Sequence, residues 1–565
     1  MNIWQSFRGG GGEPKARASD RQRGVLTLCI VLLASSLLTG WVLLPGWMVV
    51  ACASVTVVFG AALVAAERRH SLVDRLFGVR VRVPGWVWLS VVTGGALTLG
   101  LAEWGVLTGR TLAWVGLIAI AAAVTLSTLA PLVGVMRMSV SAPLWLVAVG
   151  VGAAASFALV VRTTGTVSSA LFLTAFVVFF TYLWFVVPLA VYRQSVDRAV
   201  TVAPESLPTM SVVVPAYNEA GYVGRCIDRI LAADYPAERL DVLVVDDGST
   251  DDTLVEATAR VGPRVAVYSK PNGGKHAALN DGLDRTTGDV VVVVDADSFV
   301  DAGAFRAVAA SFASGERIGA VASDVRVVNR KNGISRLQTL EYVLGINTFR
   351  RAFDFFGAVP VVPGCLGAFR REALRDAGGY DGDTLTEDFD VTIKVLKAGW
   401  TVRHTAARVW TEAPYSLRDL YRQRLRWNRG NVEVLWKHRD VLLDDDARFL
   451  HRLVFPFRLG SMLLAPVVAV AVVVAVAVSL VQGDVASVAG MLAYFTIVGV
   501  LLATLAVRME GESVRLVPYS VPLIVLFPLF QAVVIAVSIA SALLSTDRSW
   551  ANVQRMAQDP AVERH

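Results

Sequence analysis

Asp295 and Asp297 close the run VVVVVDADS (290–298), with Ala296 between them. Two carboxylates one residue apart at the tip of an apolar run offer hard oxygen ligands to a divalent cation such as Mg2+ or Mn2+, whose shell phosphates can complete. A solvated strand end has the same look, so the pair gains meaning from its company. VVDDGSTDDT (244–253) places Asp246 and Asp247 before a glycine turn, where either could accept from a base N–H while Ser249 or Thr250 caps the next helix. PAYNEA (215–220) brings Pro215, Tyr217 and Glu219 to the end of another apolar run. KPNGGKHAALN (270–280) is a glycine turn feeding a helix, and its amides and Lys275 suit phosphate. LTEDFD (385–390) offers Glu387 and Asp388 at a helix start, and one of them could serve as a general base. RQRLRWNRG (422–430) carries Gln423, Arg424, Arg426 and Trp427. A guanidinium there can clamp a diphosphate, and the indole can lie against the apolar face of a sugar.

The elements that must position these residues are strands and helices in alternation. SVVVPAY (211–217), DVLVVDD (241–247), RVAVYS (264–269) and DVVVVVDAD (289–297) read as strands, and helical patterns separate them. Unbroken valine runs fit strands buried on both faces, and the alternation predicts a parallel sheet covered by helices. Ligands of such sheets bind beyond the carboxyl ends of the strands, where Asp246, Asp247, Asp295 and Asp297 all fall.

The chain is 55% hydrophobic and 18% charged over 565 residues. Residues 24–66 hold no Asp, Glu, Lys or Arg, about twice the roughly 20 residues that cross a bilayer. Pro45-Gly46 divides them into two spans, and further apolar runs near 84–107, 111–136, 142–161 and 167–192 bring the expectation to about six. After a polar middle, 459–481, 486–507 and 518–544 read as about three more, with 440–459 as an interfacial helix before them. Arg and Lys crowd the 1–23 tail and the 67–83 loop, which sets both in the cytoplasm. The expected divisions are a cytosolic basic tail (1–23), an N-terminal membrane region (24–193), a cytosolic catalytic domain (194–450), an interfacial helix with C-terminal spans (451–545) and a tail (546–565). The net charge of +6 is accounted for by the membrane anchors and calls for no nucleic acid. Cys29, Cys52, Cys226 and Cys365 lack metal-ligand spacing, and a cytosolic block argues against disulfides.

Taken together, P-x-Y-N-E, D-D-G-S, D-x-D, T-E-D and Q-x-x-R-W stand in one order along residues 208–440. That set resembles the processive, membrane-embedded family 2 glycosyltransferases: the cellulose, chitin, hyaluronan and poly-N-acetylglucosamine synthases. The stretch 340–374 and the T-E-D triplet are most similar to the poly-β-1,6-N-acetylglucosamine synthases. The resemblance implies an α/β domain of the GT-A type, with a Rossmann-like parallel sheet, inserted between α-helical transmembrane bundles in the plasma membrane. It implies a UDP-sugar held by Asp246 or Asp247 and by Lys275. Asp295 and Asp297 would bind the Mg2+ or Mn2+ diphosphate, with Ala296 between them. Asp388, beside Glu387, would take the acceptor proton. Gln423, Arg424, Arg426 and Trp427 would face the diphosphate and the acceptor, and PGCLGAFRR (363–371) would set Gly364 and Cys365 at the growing end. The implied reaction polymerises UDP-GlcNAc, UDP-glucose or UDP-glucuronate, with inversion, into a β-linked polysaccharide that leaves through the bilayer. A small accessory membrane subunit is compatible with it. Transfer of a single sugar to a lipid carrier is the alternative, and a transporter with a nucleotide-sensing domain is a third reading.

Overall fold

The computed structural model describes residues 202–544, apart from 445–448 and 484, together with Val186, Ala190 and Arg193. The 1–23 and 546–565 tails and the six N-terminal spans, apart from Val186 and Ala190 in the sixth, lie outside the described residues, as do Cys29 and Cys52.

Eight strands form one sheet: β1 (Met210–Ala216), β2 (Leu240–Asp246), β3 (Val265–Ser269), β4 (Val290–Val293), β5 (Phe299–Val300), β6 (Ile318–Val327), β7 (Gly367–Arg370) and β8 (Thr401–Thr411). Their order is β3-β2-β1-β4-β7-β6-β8-β5. Strands β1 to β4 run parallel, each reached by a helical crossover, as the alternation predicts. The fully parallel sheet is corrected beyond β4. There β7 runs antiparallel to both β4 and β6, and β5 antiparallel to β8, so the sheet is mixed. The reversal has a consequence for the site. Gly367 pairs with Val293, so β7 starts where β4 ends and Pro363–Leu366 arrive beside Asp295–Asp297. A parallel β7 would have delivered them to the opposite edge.

Valines alternate between two cores. Val212, Val214, Val242, Val244, Val290 and Val292 pack with the Val223–Leu231 and Ala304–Ala313 helices. Val213, Leu243, Val245, Val291 and Val293 pack on the other face with the Lys275–Arg285, Thr348–Asp354 and Glu387–Lys397 helices. Burial on both faces is why these strands read as unbroken apolar runs. Strand β4 ends at Val293, earlier than expected, because Asp295 and Ser298 close a turn there: the Ser298 amide donates to the Asp295 carbonyl at 2.9 Å.

The C-terminal helices pack against this domain. Ser538 of the Phe527–Leu544 helix donates to the Leu425 carbonyl at 3.4 Å. Phe457 lies 4.9 Å from Phe349 and 5.5 Å from Phe353, centroid to centroid. A buried ion cluster adds a second tie, with Arg326 on β6 held by Asp324 at 2.6 Å and by Glu512 at 2.9 Å, and also by Glu510. Leu450–Val481 and Phe527–Leu544 are long and apolar enough to cross a membrane. The expected 518–544 span is shortened, because Pro528 has no N–H to donate to Ile524 and splits it into Ser520–Val525 and Phe527–Leu544. The expected 440–459 helix resolves into a 3-10 turn (Arg439–Leu443) and a wide turn (Leu450–Val454) that runs into the Phe455–Val481 helix. Leu450, Leu453 and Val454 are buried in the domain core, which leaves them no apolar face for a membrane surface.

Candidate active site

A cleft of about 1000 Å³ opens at the carboxyl ends of β1, β2 and β4. Of the residues singled out by the sequence, Pro215, Tyr217, Glu219, Asp247, Lys275, Asp295, Ala296, Asp297, Gly364 and Cys365 line it. Glu387, Asp388, Gln423, Arg424, Arg426 and Trp427 line it as well.

Asp246 does not line it. Its carboxylate accepts from the Ser269 hydroxyl at 2.8 Å and the Ser249 amide at 3.3 Å, and so pins the turn after β2. Asp247 holds the glycine loop instead: it accepts from Lys270 Nζ at 2.9 Å, the Gly273 amide at 2.9 Å and the Gly274 amide at 2.8 Å. Two of the amides expected to face phosphate are therefore engaged within the protein.

Lys275, the first residue of the Lys275–Arg285 helix, joins the two halves of the site. Its Nζ lies 2.7 Å from Asp295 Oδ1 and 3.0 Å from Glu387 Oε1. Burial alone would lower its pKa, but the Asp295 and Glu387 carboxylates hold it well above the ordinary value. The approach is tight. A Cβ at Gly364 would meet Lys275 Nζ at 2.8 Å and Asp295 Oδ2 at 3.4 Å, so glycine is the residue that lets the 363–366 loop reach the ammonium.

Glu387 and Asp388 begin the Glu387–Lys397 helix, where the helix dipole favours acids. Desolvation in the cleft and the adjoining Glu387 carboxylate push the Asp388 carboxyl up to about 6, with Lys275 opposing them. Asp388 Oδ1 accepts from the Phe389 amide at 2.8 Å, which leaves Oδ2 to face a ligand. Across the cleft runs the Leu417–Lys437 helix, which carries Gln423, Arg424, Arg426 and Trp427. Gly430 brings this helix against the start of the other: a Cβ there would collide with Thr386 Oγ1 at 2.6 Å. Gln423 Oε1 is buried without a hydrogen-bond partner. The Arg424 guanidinium is already engaged, 2.6 Å from Glu341 Oε2 and 4.3 Å from the centroid of the Trp427 ring. It braces Trp427, while its buried Nε has no hydrogen-bond partner among the described residues. Glu341 carries no local sequence signal, because its partner lies 83 residues away.

Burial pushes the Cys365 thiol up to about 12, which keeps it a neutral wall residue. Asp295 and Asp297, each half-buried on one turn, present carboxylate oxygens to the cleft and fit a hard divalent cation. A second acidic group, Asp381, Asp383 and Asp390, has metal-like spacing. Lys437 fills it: its Nζ lies 2.7 Å from Asp381, 2.7 Å from Asp383 and 3.1 Å from Asp390.

The family model for glycosyl transferase family 2 matches residues 211–378, which span β1 to β7 and the D-x-D turn. Residues 211–378 are thus similar to the glycosyl transferase family 2 domain. Poly-beta-1,6-N-acetyl-D-glucosamine synthase of Staphylococcus aureus is 29% identical to the chain over 272 residues, 47% of this chain and 66% of that protein. The synthase of Staphylococcus epidermidis is 29% identical over 229 residues, 40% of this chain and 55% of that protein. The match thus spans less than two thirds of either relative's length. A mannosyltransferase from Pyrobaculum calidifontis, solved with GDP-Man and Mn2+, superimposes with a TM-score of 0.50 at 23% identity, over 67% of this chain and 99% of its own. The sheet is therefore GT-A-like, curled and mixed, and its acidic turn lines the cleft.

Proposed function

We propose that the protein is an inverting, processive hexosyltransferase that builds a β-linked polysaccharide from a UDP-sugar, with UDP-GlcNAc favoured by the names of its relatives. The carrying observation is that one cleft gathers Asp295, Asp297 and Lys275 on the donor side with Asp388, Arg426 and Trp427 opposite them. Asp247 and Tyr217 flank the base and ribose. Asp295 and Asp297 would hold Mg2+ or Mn2+, which neutralises charge on a diphosphate leaving group. Lys275 adds a fixed cation beside it, and Arg426 and Gln423 supply donors to the same group. An acceptor hydroxyl, seated against Trp427 and Gly364, attacks the anomeric carbon as its bond to the diphosphate oxygen breaks. The hydroxyl proton passes to Asp388 Oδ2. One displacement inverts an α-linked donor to a β-linked product.

The domain division set out above, with residues 194–450 in the cytoplasm, belongs to the same proposal. Leu450–Val481 and Phe527–Leu544 would anchor the domain in the plasma membrane and border a polymer path, since hydrocarbon rejects a hydroxyl-rich chain. Any accessory subunit would join there. The test is UDP release by the purified chain from UDP-GlcNAc, UDP-glucose and UDP-glucuronate, followed by sizing of the product. Long β-linked chains support the proposal. Products one sugar longer than the acceptor would replace processive synthesis with single transfer.

A further inference from the structure

Arg350 and Arg458 line the cleft, and neither is paired with a carboxylate among the described residues. Arg350 comes from the Thr348–Asp354 helix and is 9% exposed; it donates only to the Ser323 carbonyl, at 3.3 Å. Arg458, from the Phe455–Val481 helix, sits 5.2 Å above the Phe389 ring centroid. The other arginines buried near them are paired: Arg326 with Asp324, Arg351 with Glu510, Arg424 with Glu341. A buried cation that distant carboxylates such as Asp388 compensate only in part costs the fold stability, so a pair of them facing a cavity points to an anion supplied from outside. Gln531, also lining the cleft, has a buried Oε1 with no partner. Phe349 and Phe457 form an apolar wall beside the arginines, and the Phe455–Val481 helix continues from it.

We propose that Arg350 and Arg458 bind a phosphate on the acceptor, and that the first acceptor is a sugar carried on a lipid phosphate. The inference rests on the glycosyl-transfer reading and names the primer of that reaction. Two guanidinium forks match the oxygens of a phosphate. Phe349, Phe457 and the apolar helix beyond them suit the lipid that follows it. Burial holds Arg350 below the usual arginine range, with Asp388 and Asp324 offsetting part of the effect, so an added oxyanion relieves a standing cost.

The experiment uses the full chain in bilayer discs with its donor and three acceptors: N-acetylglucosamine on a lipid diphosphate, the same sugar on an uncharged alkyl chain, and an oligosaccharide ending in a carboxylate. The wild type should prefer the lipid diphosphate over the alkyl glycoside. Arg350→Gln and Arg458→Gln should each lower that preference about tenfold or more, the scale of a lost charge-assisted hydrogen bond. Melting temperature should stay level or rise in both variants, because a neutral amide replaces an unpaired charge, whereas a merely structural arginine would lower it. Equal use of the charged and uncharged lipids, a preference for the carboxylate oligosaccharide, or a loss of UDP affinity in the variants would each overturn the proposal. Failure of the glycosyl-transfer reading itself has a different signature: no UDP release from the wild type with any acceptor.

Discussion

Replacing Asp388 with asparagine isolates the proposed base. The amide oxygen can keep the 2.8 Å bond from the Phe389 amide, so the helix start survives. What is lost is a carboxylate oxygen able to take a proton. General-base assistance contributes about 10²–10⁴-fold, so turnover should fall within that range while UDP affinity holds. The stability change has a definite sign. Desolvation and Glu387 push Asp388 up to about 6, so it is still mostly ionised at neutral pH, but keeping it ionised there costs the fold stability. A neutral asparagine removes that penalty, and the melting temperature should hold or rise. UDP release gives kcat, calorimetry gives UDP affinity, and a thermal scan gives stability. Turnover within about threefold of wild type would refute the assignment of the base. So would a loss of rate explained by lost UDP binding.

The remaining expectations use the same assays. The wild-type rate needs Asp388 ionised, so below pH about 6 it should fall about tenfold per unit, and a profile flat to pH 5 would contradict this. Lys275→Met removes the cation that opposes the Asp388 shift, so the acid limb should move to higher pH; an unmoved limb would separate Lys275 from the base. Gly364→Ala sets a methyl 2.8 Å from Lys275 Nζ and should raise the KM for donor by displacing the ammonium from Asp295. Glu341→Ala strands the buried Arg424 and should cost about 3–5 kcal/mol in denaturant unfolding, with weaker acceptor use as Trp427 loses its brace.

The first half of the sheet was legible because strands buried on both faces leave valine runs that helices rarely share. The second half was hidden for an equally physical reason. Strands β6 and β8 carry Arg326 and Arg403, which look like surface charges until Glu510, Glu512 and Asp354 arrive from distant parts of the chain to pair with them. The reversal at β7 was equally invisible, since four residues beginning with glycine carry no sign of direction. At the site, residue types and order brought all but one of the candidates to the cleft. Asp246 differs because adjacent carboxylates at a strand end point opposite ways, and no local pattern says which faces inward. Arg350 and Arg458 escaped notice because an unpaired arginine is unusual only once its burial is known.

The most direct test is nucleotide release by the purified full-length chain with UDP-GlcNAc, UDP-glucose or UDP-glucuronate, in Mg2+ or Mn2+ and again after chelation. At least one donor should be consumed with the cation present, with little consumed after chelation or in the Asp388→Asn variant. Donors left intact under every condition, or consumed equally well after chelation, would contradict a cleft built to grip a cation-bound sugar nucleotide.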